Sequence, residues 1–292
     1  MKSVIFGAGG LLGSALGRRL VESGLEVVGA FGGRKEADIA DAKVVGDILA
    51  RLRPEVVFNA AAYTNVDGAE DEPEAARRAN AEGPEVLARA CAAVDARLVH
   101  YSTDFVFDGE KATPYDEDDP PSPRGVYAET KAEGERRVLG AWPKAFVVRV
   151  GCLYGRGGRN FPSTLLSRLR KGELIRADGV RRVSPTWAGE VARLSVRLCS
   201  KDRFGIYHGT ALGETSWVDF ARFLAENAGI AGASIESVDG TTLKLKAPRP
   251  MRAILVSRNL PRVGLEPLPT WREQALAYLE SEPGIPQSSA PR

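Results

Sequence analysis

A glycine-rich turn near the amino terminus constrains the fold more than any other feature of the sequence. The apolar run SVIF (3–6) is typical of a buried strand and passes directly into GAGGLLG (7–13). An amphipathic helical pattern starts at once and stops at Gly24. Small residues between a strand and a helix let the backbone approach a pyrophosphate, which the helix N-terminus attracts. The turn therefore predicts dinucleotide binding.

The glycine spacing is a variant of the usual fingerprint. Gly7, Gly10 and Gly13 are three residues apart, whereas the strict G-x-G-x-x-G pattern would place glycine where Leu12 stands. A plain strand–helix corner is the alternative interpretation. We expect the cofactor to contact this turn through Gly7, Gly10, Leu11, Leu12 and Gly13.

The end of the second predicted strand indicates which dinucleotide is bound. An acidic residue usually binds the ribose hydroxyls about 20 positions after the glycines. Here AFGGRKE (30–36) offers Arg34 and Lys35 instead. A guanidinium pairs well with a 2′-phosphate, so NADPH is favoured and NADH stays open. The alternative is that Arg34 is a solvated loop charge.

Short apolar runs alternate with helical patterns through the first half of the chain. This alternation predicts an α/β fold, a Rossmann-type doubly wound parallel sheet with helices on both faces. Further strands are predicted at 25–31, 55–61, 97–103 and 145–150, and helices at 73–93, broken near Gly83 and Pro84, and at 126–140.

The pattern loosens after about residue 150, which suggests a smaller, interleaved C-terminal substrate-binding lobe. Helices are predicted there at 161–171, 188–199, 216–228 and 270–281, with a short strand at 205–208. We predict an NAD(P)-binding core over 1–150. Residues 151–282 would form mainly the substrate lobe, with some segments returning to the core, and 283–292 a flexible tail.

A tyrosine and a lysine lie four residues apart in the predicted helix after the fourth strand. Tyr127 and Lys131 would share one face of that helix. The spacing alone is common by chance, but the preceding strand ends in Ser102, Thr103 and Asp104. In an open α/β sheet, ligands bind outside the carboxyl ends of the strands. The pair is therefore a candidate catalytic group.

The proposed chemistry explains why these residue types belong together. Hydride transfer from a nicotinamide to a ketone leaves an alkoxide that must be protonated. Tyrosine has an ordinary pKa near 10, and a neighbouring ammonium such as that of Lys131 would lower it. Thr103 would donate a hydrogen bond to the carbonyl oxygen. None of these steps requires a metal.

Several longer segments resemble the dTDP-4-dehydrorhamnose reductases of the extended short-chain dehydrogenase/reductase superfamily. The resemblance covers the chain to about residue 280. It is carried by RPEVVFNAAAYTNVDGAEDEPE (53–74), HYSTDFVFDGEKATPYDEDDPPSP (100–123), YAETKAEGE (127–135), SPTWAGEVA (184–192), GIYHGTALGETSWVDFA (205–221) and PLPTWREQALAYL (267–279).

The resemblance implies reduction of the 4-keto group of dTDP-4-dehydro-L-rhamnose to give dTDP-L-rhamnose. It places the catalytic roles on Thr103, Tyr127 and Lys131. The implied cofactor contacts, besides the glycine turn and Arg34, are Asp38, Ile39, Asn59, Ala60, Ala61, Tyr127 and Lys131. The implied substrate contacts are Thr64, Val66, Thr103, Asp104, Phe105, Tyr127 and Cys152.

Two positions depart from the family pattern. Cys152 stands where the family commonly has a tryptophan close to the sugar, and Ala253 replaces a serine. A reductase or epimerase of another nucleotide sugar therefore stays open. A non-catalytic NADP-binding regulatory subunit is a third alternative, although the Thr–Tyr–Lys set argues against it.

Composition excludes several other classes of function. The formal net charge is +2, with no long basic run, so no nucleic-acid partner is expected. No run of about 18 apolar residues predicts a membrane span, and no signal peptide is visible. Cys91, Cys152 and Cys199 read as reduced thiols, and His100 and His208 are too far apart in sequence to suggest a metal site. We expect a cytoplasmic protein, with a homodimer left open.

Overall fold

A six-stranded parallel sheet forms the centre of the structure, a computed structural model that describes residues 1–156 and 160–281. The strands in chain order are β1 Lys2–Phe6, β2 Glu26–Phe31, β3 Val56–Asn59, β4 Arg97–Thr103, β5 Ala145–Val150, β6 Leu153–Tyr154, β7 Ile175–Asp178, β8 Thr186–Trp187, β9 Gly205–His208 and β10 Ile235–Val238. The main sheet has the order β2-β1-β3-β4-β5-β9, and each of its pairings is parallel. The predicted Rossmann-type sheet is confirmed.

Helices cover both faces of this sheet. They are α1 Leu11–Glu22, α2 Ala42–Leu52, α3 Gly68–Asp71, α4 Pro73–Arg77, α5 Gly83–Val94, α6 Val126–Ala141, α7 Phe161–Arg170, α8 Ala188–Leu198, α9 Trp217–Asn227, α10 Asn259–Arg262 and α11 Trp271–Ser281. On one face α1 packs against α8, and on the other α5 packs between α2 and α6. Both faces of the sheet are buried, which is why its central strands are continuous apolar runs.

Each face has its own hydrophobic cluster. One joins Leu16 and Leu20 of α1 to Val191 and Leu198 of α8. The other joins apolar residues of α2, α5 and α6, including Val138. Because α8 comes from the second half of the sequence, the first cluster is complete only when both halves of the chain are present.

The second helix was not predicted from the sequence. Its N-cap is Asp41, whose carboxylate accepts hydrogen bonds from the amides of Lys43 and Val44. Val45, Ile48 and Leu49 then form the buried face. The helical period is present in the sequence, but the stretch is too short for the period to stand out.

The helix predicted over 73–93 has a different interruption from the one expected. A π-helical stretch, Arg78–Glu82, separates α4 from α5, and Gly83 is the first residue of α5. This stretch lies directly against α6, where a Cβ on Gly134 would come within 2.1 Å of the carbonyl oxygen of Asn80. A glycine at 134 therefore lets the two backbones touch.

The rest of the second half builds a smaller cluster around two minor sheets, β10-β7 and β6-β8. Trp271 is buried there and Trp217 is partly buried, so both are packing residues. Strand β9 leaves this region and completes the main sheet beside β5. The proposed division at residue 150 stays a prediction, and the predicted tail 283–292 lies outside the described residues.

Among residues 1–156 and 160–281, no helix is both long and apolar enough to cross a membrane.

Candidate active site

A cavity of about 520 Å³ opens at the carboxyl ends of β1, β3 and β4. Most of the residues predicted to bind the cofactor line it. They are Gly7, Gly10, Leu11, Leu12, Arg34, Asp38, Ile39, Asn59, Ala60, Ala61, Tyr127 and Lys131, with Thr64 from the predicted substrate loop. The topology thus gathers four separate sequence segments around one cavity.

The glycine turn brings the backbone close to its neighbours at the start of α1. Gly7 has a φ of 81°, and a Cβ there would lie 2.5 Å from the amide nitrogen of Ala61. A Cβ on Gly13 would lie 2.0 Å from the carbonyl oxygen of Gly7. Gly10, the N-cap of α1, supplies no capping side chain, so the amides of the first turn are left for a ligand. The turn fits a dinucleotide pyrophosphate.

Two arginines lie at the far end of the cavity. Arg34 is exposed at its edge, and Arg78 forms an ion pair with Asp38, with 2.7 Å between Nη1 and Oδ2. Burial acts to raise the pKa of Asp38, but hydrogen bonds from the Ala40 amide and Arg78 hold it below its usual value. Arg78 was missed in the sequence because it lies on a different element, 40 positions beyond Asp38.

Beneath the cavity, β3 and β4 carry a buried polar pair. The side-chain oxygen of Asn59 accepts a hydrogen bond from the Ala61 amide at 3.2 Å. Its amide nitrogen therefore faces Nδ1 of His100 at 3.0 Å and donates to it. Burial, and then the charge of Lys131, lower the pKa of His100 well below its usual value. His100 is thus a neutral structural group under the site.

Tyr127 lies near the start of α6, two residues after Gly125, whose φ of 85° turns the chain into the helix. Its ring meets Phe105 edge to face, with 5.9 Å between the ring centroids. Burial raises the pKa of Tyr127 to about 12, although a hydrogen bond with Thr103 acts to lower it and the charge of Asp104 to raise it. The lowering of this pKa predicted from Lys131 is therefore wrong for the protein without ligands, because burial dominates. The phenol keeps its proton at neutral pH.

Lys131 is buried one helical turn further along α6. Its ammonium donates a hydrogen bond to the carbonyl oxygen of Tyr101 at 2.6 Å. Burial lowers the pKa of Lys131 to about 8, against the opposing charge of Glu135. That carboxylate is held by two hydrogen bonds from the buried guanidinium of Arg149, at 2.9 and 2.7 Å.

Thr103 is the last residue of β4 and lies beside Tyr127 and Asp104. Its hydroxyl donates to Oδ1 of Asp104 at 3.0 Å and accepts from the amide of Phe105 at 3.2 Å. The Asp104 side chain is buried against the backbone of Gly151, where a Cβ would lie 2.5 Å from Oδ2. The predicted catalytic hydroxyl is therefore part of a buried polar group and not an isolated side chain.

The structure places the remaining predicted residues outside the lining of the 520 Å³ cavity. Phe105 is between Tyr127 and a smaller cavity that Arg249 also borders. Cys152 follows Gly151, has a left-handed backbone with a φ of 46°, and faces Asp104. Gly13 packs inside the glycine turn, and Val66 is partly buried in the loop after β3. Within the described ranges, no group of three or more His, Cys, Asp or Glu residues could hold a metal ion.

Residues 1–282 match the family described as the RmlD substrate binding domain. The chain belongs to this family. The resemblance to dTDP-4-dehydrorhamnose reductases is confirmed, because similar proteins carry that name. A protein of Streptomyces griseus named dTDP-4-dehydrorhamnose reductase is 38% identical over 97% of this chain and 93% of its own.

Two further proteins are similar to this chain over nearly its whole length. A Streptomyces antibioticus protein named probable dTDP-4,6-dihydroxy-2-methyloxan-3-one 4-ketoreductase is 38% identical over 98% of this chain and 96% of its own. The crystal structure of dTDP-4-dehydrorhamnose reductase from Bacillus anthracis, in complex with NADP, is 31% identical with a TM-score of 0.92. The match covers 96% of this chain and 99% of that one. This chain therefore shares the fold of the B. anthracis reductase and matches these proteins over nearly all of their length.

Proposed function

We propose that the protein is an oxidoreductase that uses NADPH to reduce the 4-keto group of a nucleotide-linked deoxysugar. The substrate we propose is dTDP-4-dehydro-L-rhamnose, and the product is dTDP-L-rhamnose. The observation that carries this proposal is the position of Tyr127. It presents a protonated phenol at the inner end of a dinucleotide-sized cavity, beside the Thr103 hydroxyl.

NADPH, bound along the glycine turn, supplies the hydride that makes the new C–H bond at the carbonyl carbon of the sugar. The residues that would hold it are the amides at the start of α1, Arg34 beside the 2′-phosphate, and Lys131 at the inner end. Arg34 supports NADPH over NADH because its guanidinium can pair with the 2′-phosphate, which only NADPH carries.

Tyr127 supplies the proton. As the carbonyl carbon gains the hydride, its oxygen takes up the electron pair of the C=O double bond, and the phenol transfers its proton to that oxygen. The product is a hydroxyl group, and Tyr127 remains as a phenolate that solvent must reprotonate. A pKa of about 12 keeps the acid protonated before the reaction. This state suits a reduction.

The buried charge of Lys131 stabilises the phenolate that forms one helical turn away. Its own pKa of about 8 means that the ammonium predominates at neutral pH. Thr103 binds the carbonyl oxygen and aligns it with the phenol. The catalytic groups are thus all supplied by the carboxyl end of β4 and by α6, which packs against that strand.

A related sugar is the second candidate substrate. The S. antibioticus relative is named for a different dTDP-linked ketone, and its identity to this chain equals that of the S. griseus reductase. Cys152 interacts with Asp104 and stands where the resemblance places the family's tryptophan beside the sugar, so a smaller side chain would lie there. Both observations favour a test with more than one sugar.

The test is a panel of nucleotide-linked 4-ketosugars, with NADPH absorbance as the readout. We expect the fastest oxidation of NADPH with dTDP-4-dehydro-L-rhamnose, and slower oxidation with UDP- or GDP-linked ketosugars. A faster reaction with another dTDP-linked ketone would move the assignment to that substrate. If no ketosugar were reduced while NADPH still bound, the protein would be a cofactor-binding subunit and the proposal would be wrong.

A further inference from the structure

The hydroxyl of Thr103 has only one proton, and its present hydrogen bonds use it. It accepts from the Phe105 amide and donates to Oδ1 of Asp104. A hydroxyl has one donor and two acceptor positions. With its proton committed to Asp104, Thr103 can still accept from the Tyr127 phenol but cannot donate to a substrate carbonyl. When Asp104 is ionised, its hydrogen bond with Thr103 therefore conflicts with the role proposed for Thr103 as a donor to the substrate.

Protonation of Asp104 removes this conflict. A neutral carboxyl can donate its own proton to the Thr103 oxygen, where it fills the second acceptor position beside the Phe105 amide. The Thr103 proton is then free to point toward Tyr127 and the carbonyl oxygen. One proton on Asp104 thus decides the direction of the hydrogen bond that Thr103 makes to the site.

The surroundings of Asp104 favour the neutral carboxyl. Its side chain is buried against the Gly151 backbone. The titratable groups that face it are the Tyr127 phenol from α6 and the Cys152 thiol from the segment after β5. Burial raises the pKa of both, so neither carries a charge at neutral pH. Burial also raises the pKa of Asp104 to about 7, although hydrogen bonds from Thr103 and from the backbone amides of Asp104 and Phe105 act to lower it.

We propose that Asp104 is a positioning residue whose protonated carboxyl turns Thr103 into the donor that binds the substrate carbonyl. The proposal rests on the reductase function proposed above. It requires that turnover depend on the protonation of a carboxyl that acts through its hydrogen bond with Thr103. Because the neutral form is the competent one, kcat is high below the pKa of Asp104 and falls as the pH rises through it.

The decisive variants are Asp104→Asn and Asp104→Ala. An asparagine amide at this place donates to Thr103 at every pH, whereas alanine neither donates nor accepts. For the wild type we expect kcat to fall about tenfold between about pH 6 and pH 8, as one ionisation near 7 requires. Asp104→Asn should lose this fall whatever its kcat at about pH 6, and its kcat should change only with the ionisation of Lys131 near 8. Asp104→Ala should be slower than both at about pH 6.

A second readout needs neither substrate nor turnover. With ¹³C-labelled aspartate, the Asp104 carboxyl should titrate near 7 in the wild type, and the signal is assigned by its absence in Asp104→Asn. Because the pKa is raised from 3.8 to about 7, the carboxyl favours the folded state at acid pH, and this contribution is lost progressively as the pH rises between these two values. Asp104→Asn should therefore be more resistant than the wild type to urea at about pH 8, and the difference should shrink toward about pH 5.

These readouts separate the two proposals. If the carboxyl titrates near 7 but no ketosugar is reduced, the reductase function fails while the buried proton stands. If the enzyme turns over but the fall in kcat persists in Asp104→Asn, or the carboxyl titrates near its ordinary value of about 4, the role of Asp104 is wrong.

Discussion

The proton on Tyr127 has to reach one oxygen atom, and the residues around it are arranged for that transfer. Tyr127→Phe removes the proton but keeps the ring that packs edge to face on Phe105. We expect kcat to fall about 10²–10⁴-fold, the usual contribution of a positioned acid, with the Kd for NADPH nearly unchanged. Stopped-flow turnover and fluorescence titration would measure the two quantities. Retained turnover would remove Tyr127 from the mechanism.

Arg34 and its neighbour Lys35 offer a matched pair for testing cofactor choice. Both are exposed, but only Arg34 lines the cavity. Arg34→Ala should raise the KM for NADPH about tenfold, the loss of one charge-assisted hydrogen bond, and leave the KM for NADH within about twofold. Lys35→Ala is the control and should change neither. Equal effects on both cofactors would show that Arg34 does not bind the 2′-phosphate.

At this scale the sequence indicates residue types better than their environments. The glycine turn and the Tyr–Lys spacing led to residues that line one cavity, because period and motif are local properties. The ion pair of Arg78 with Asp38 joins positions that only the fold brings together. The burial of Asp104, and hence its raised pKa, depends on Gly151 from another strand end. No local pattern reports either feature.

Two glycines of the catalytic helix α6 test how tightly the element is held. A Cβ at Gly134 would meet the Asn80 carbonyl at 2.1 Å, whereas Gly140 has open space around it. Gly134→Ala should cost about 1–3 kcal/mol of the free energy of unfolding and lower kcat, because α6 must move away from the π-helical stretch and carries Tyr127 with it. Urea denaturation and steady-state kinetics would measure both.

Gly140→Ala is the matched control on the same helix. Alanine should stabilise the protein by up to about 1 kcal/mol, since it favours helix and meets no neighbour. Its kcat should be unchanged. If Gly134→Ala behaved like Gly140→Ala, close packing of α6 would not matter for catalysis.

The elements that were predicted share one physical property. Strands β1, β4 and β5 have five to seven residues each and are almost fully buried, and helix α6 has 16 residues, so each is long enough to be recognised in the sequence. Strands β6 and β8 contain two residues each and have no period to detect. The π-helical stretch 78–82 reads as helix in sequence, since its extra residue per turn is set by packing on α6. These pieces depend on tertiary contacts.

For the whole molecule, the two halves of the sequence share one core. Strand β9 completes the main sheet, and α8 covers α1 in the same hydrophobic cluster. A fragment of residues 1–150 should therefore aggregate or bind a hydrophobic dye, with β5 left as an apolar edge strand. Gel filtration and circular dichroism would check this, with residues 1–281 as the control. A monomeric, cooperatively folding fragment that bound NADPH would contradict it.

The late arrival of β9 also affects how the protein is made. When β5 leaves the ribosome, about fifty more residues must follow it before its partner strand β9. At the usual rate of synthesis of ~5–20 residues per second, the edge of β5 stays unpaired for roughly 3–10 seconds before β9 can pair with it. During that interval the nascent chain presents the buried residues Phe146, Val147 and Val148 beside unpaired backbone groups. Codon usage between β5 and β9, or a chaperone acting on the nascent chain, should therefore influence the yield of folded enzyme more than the same change placed after residue 208.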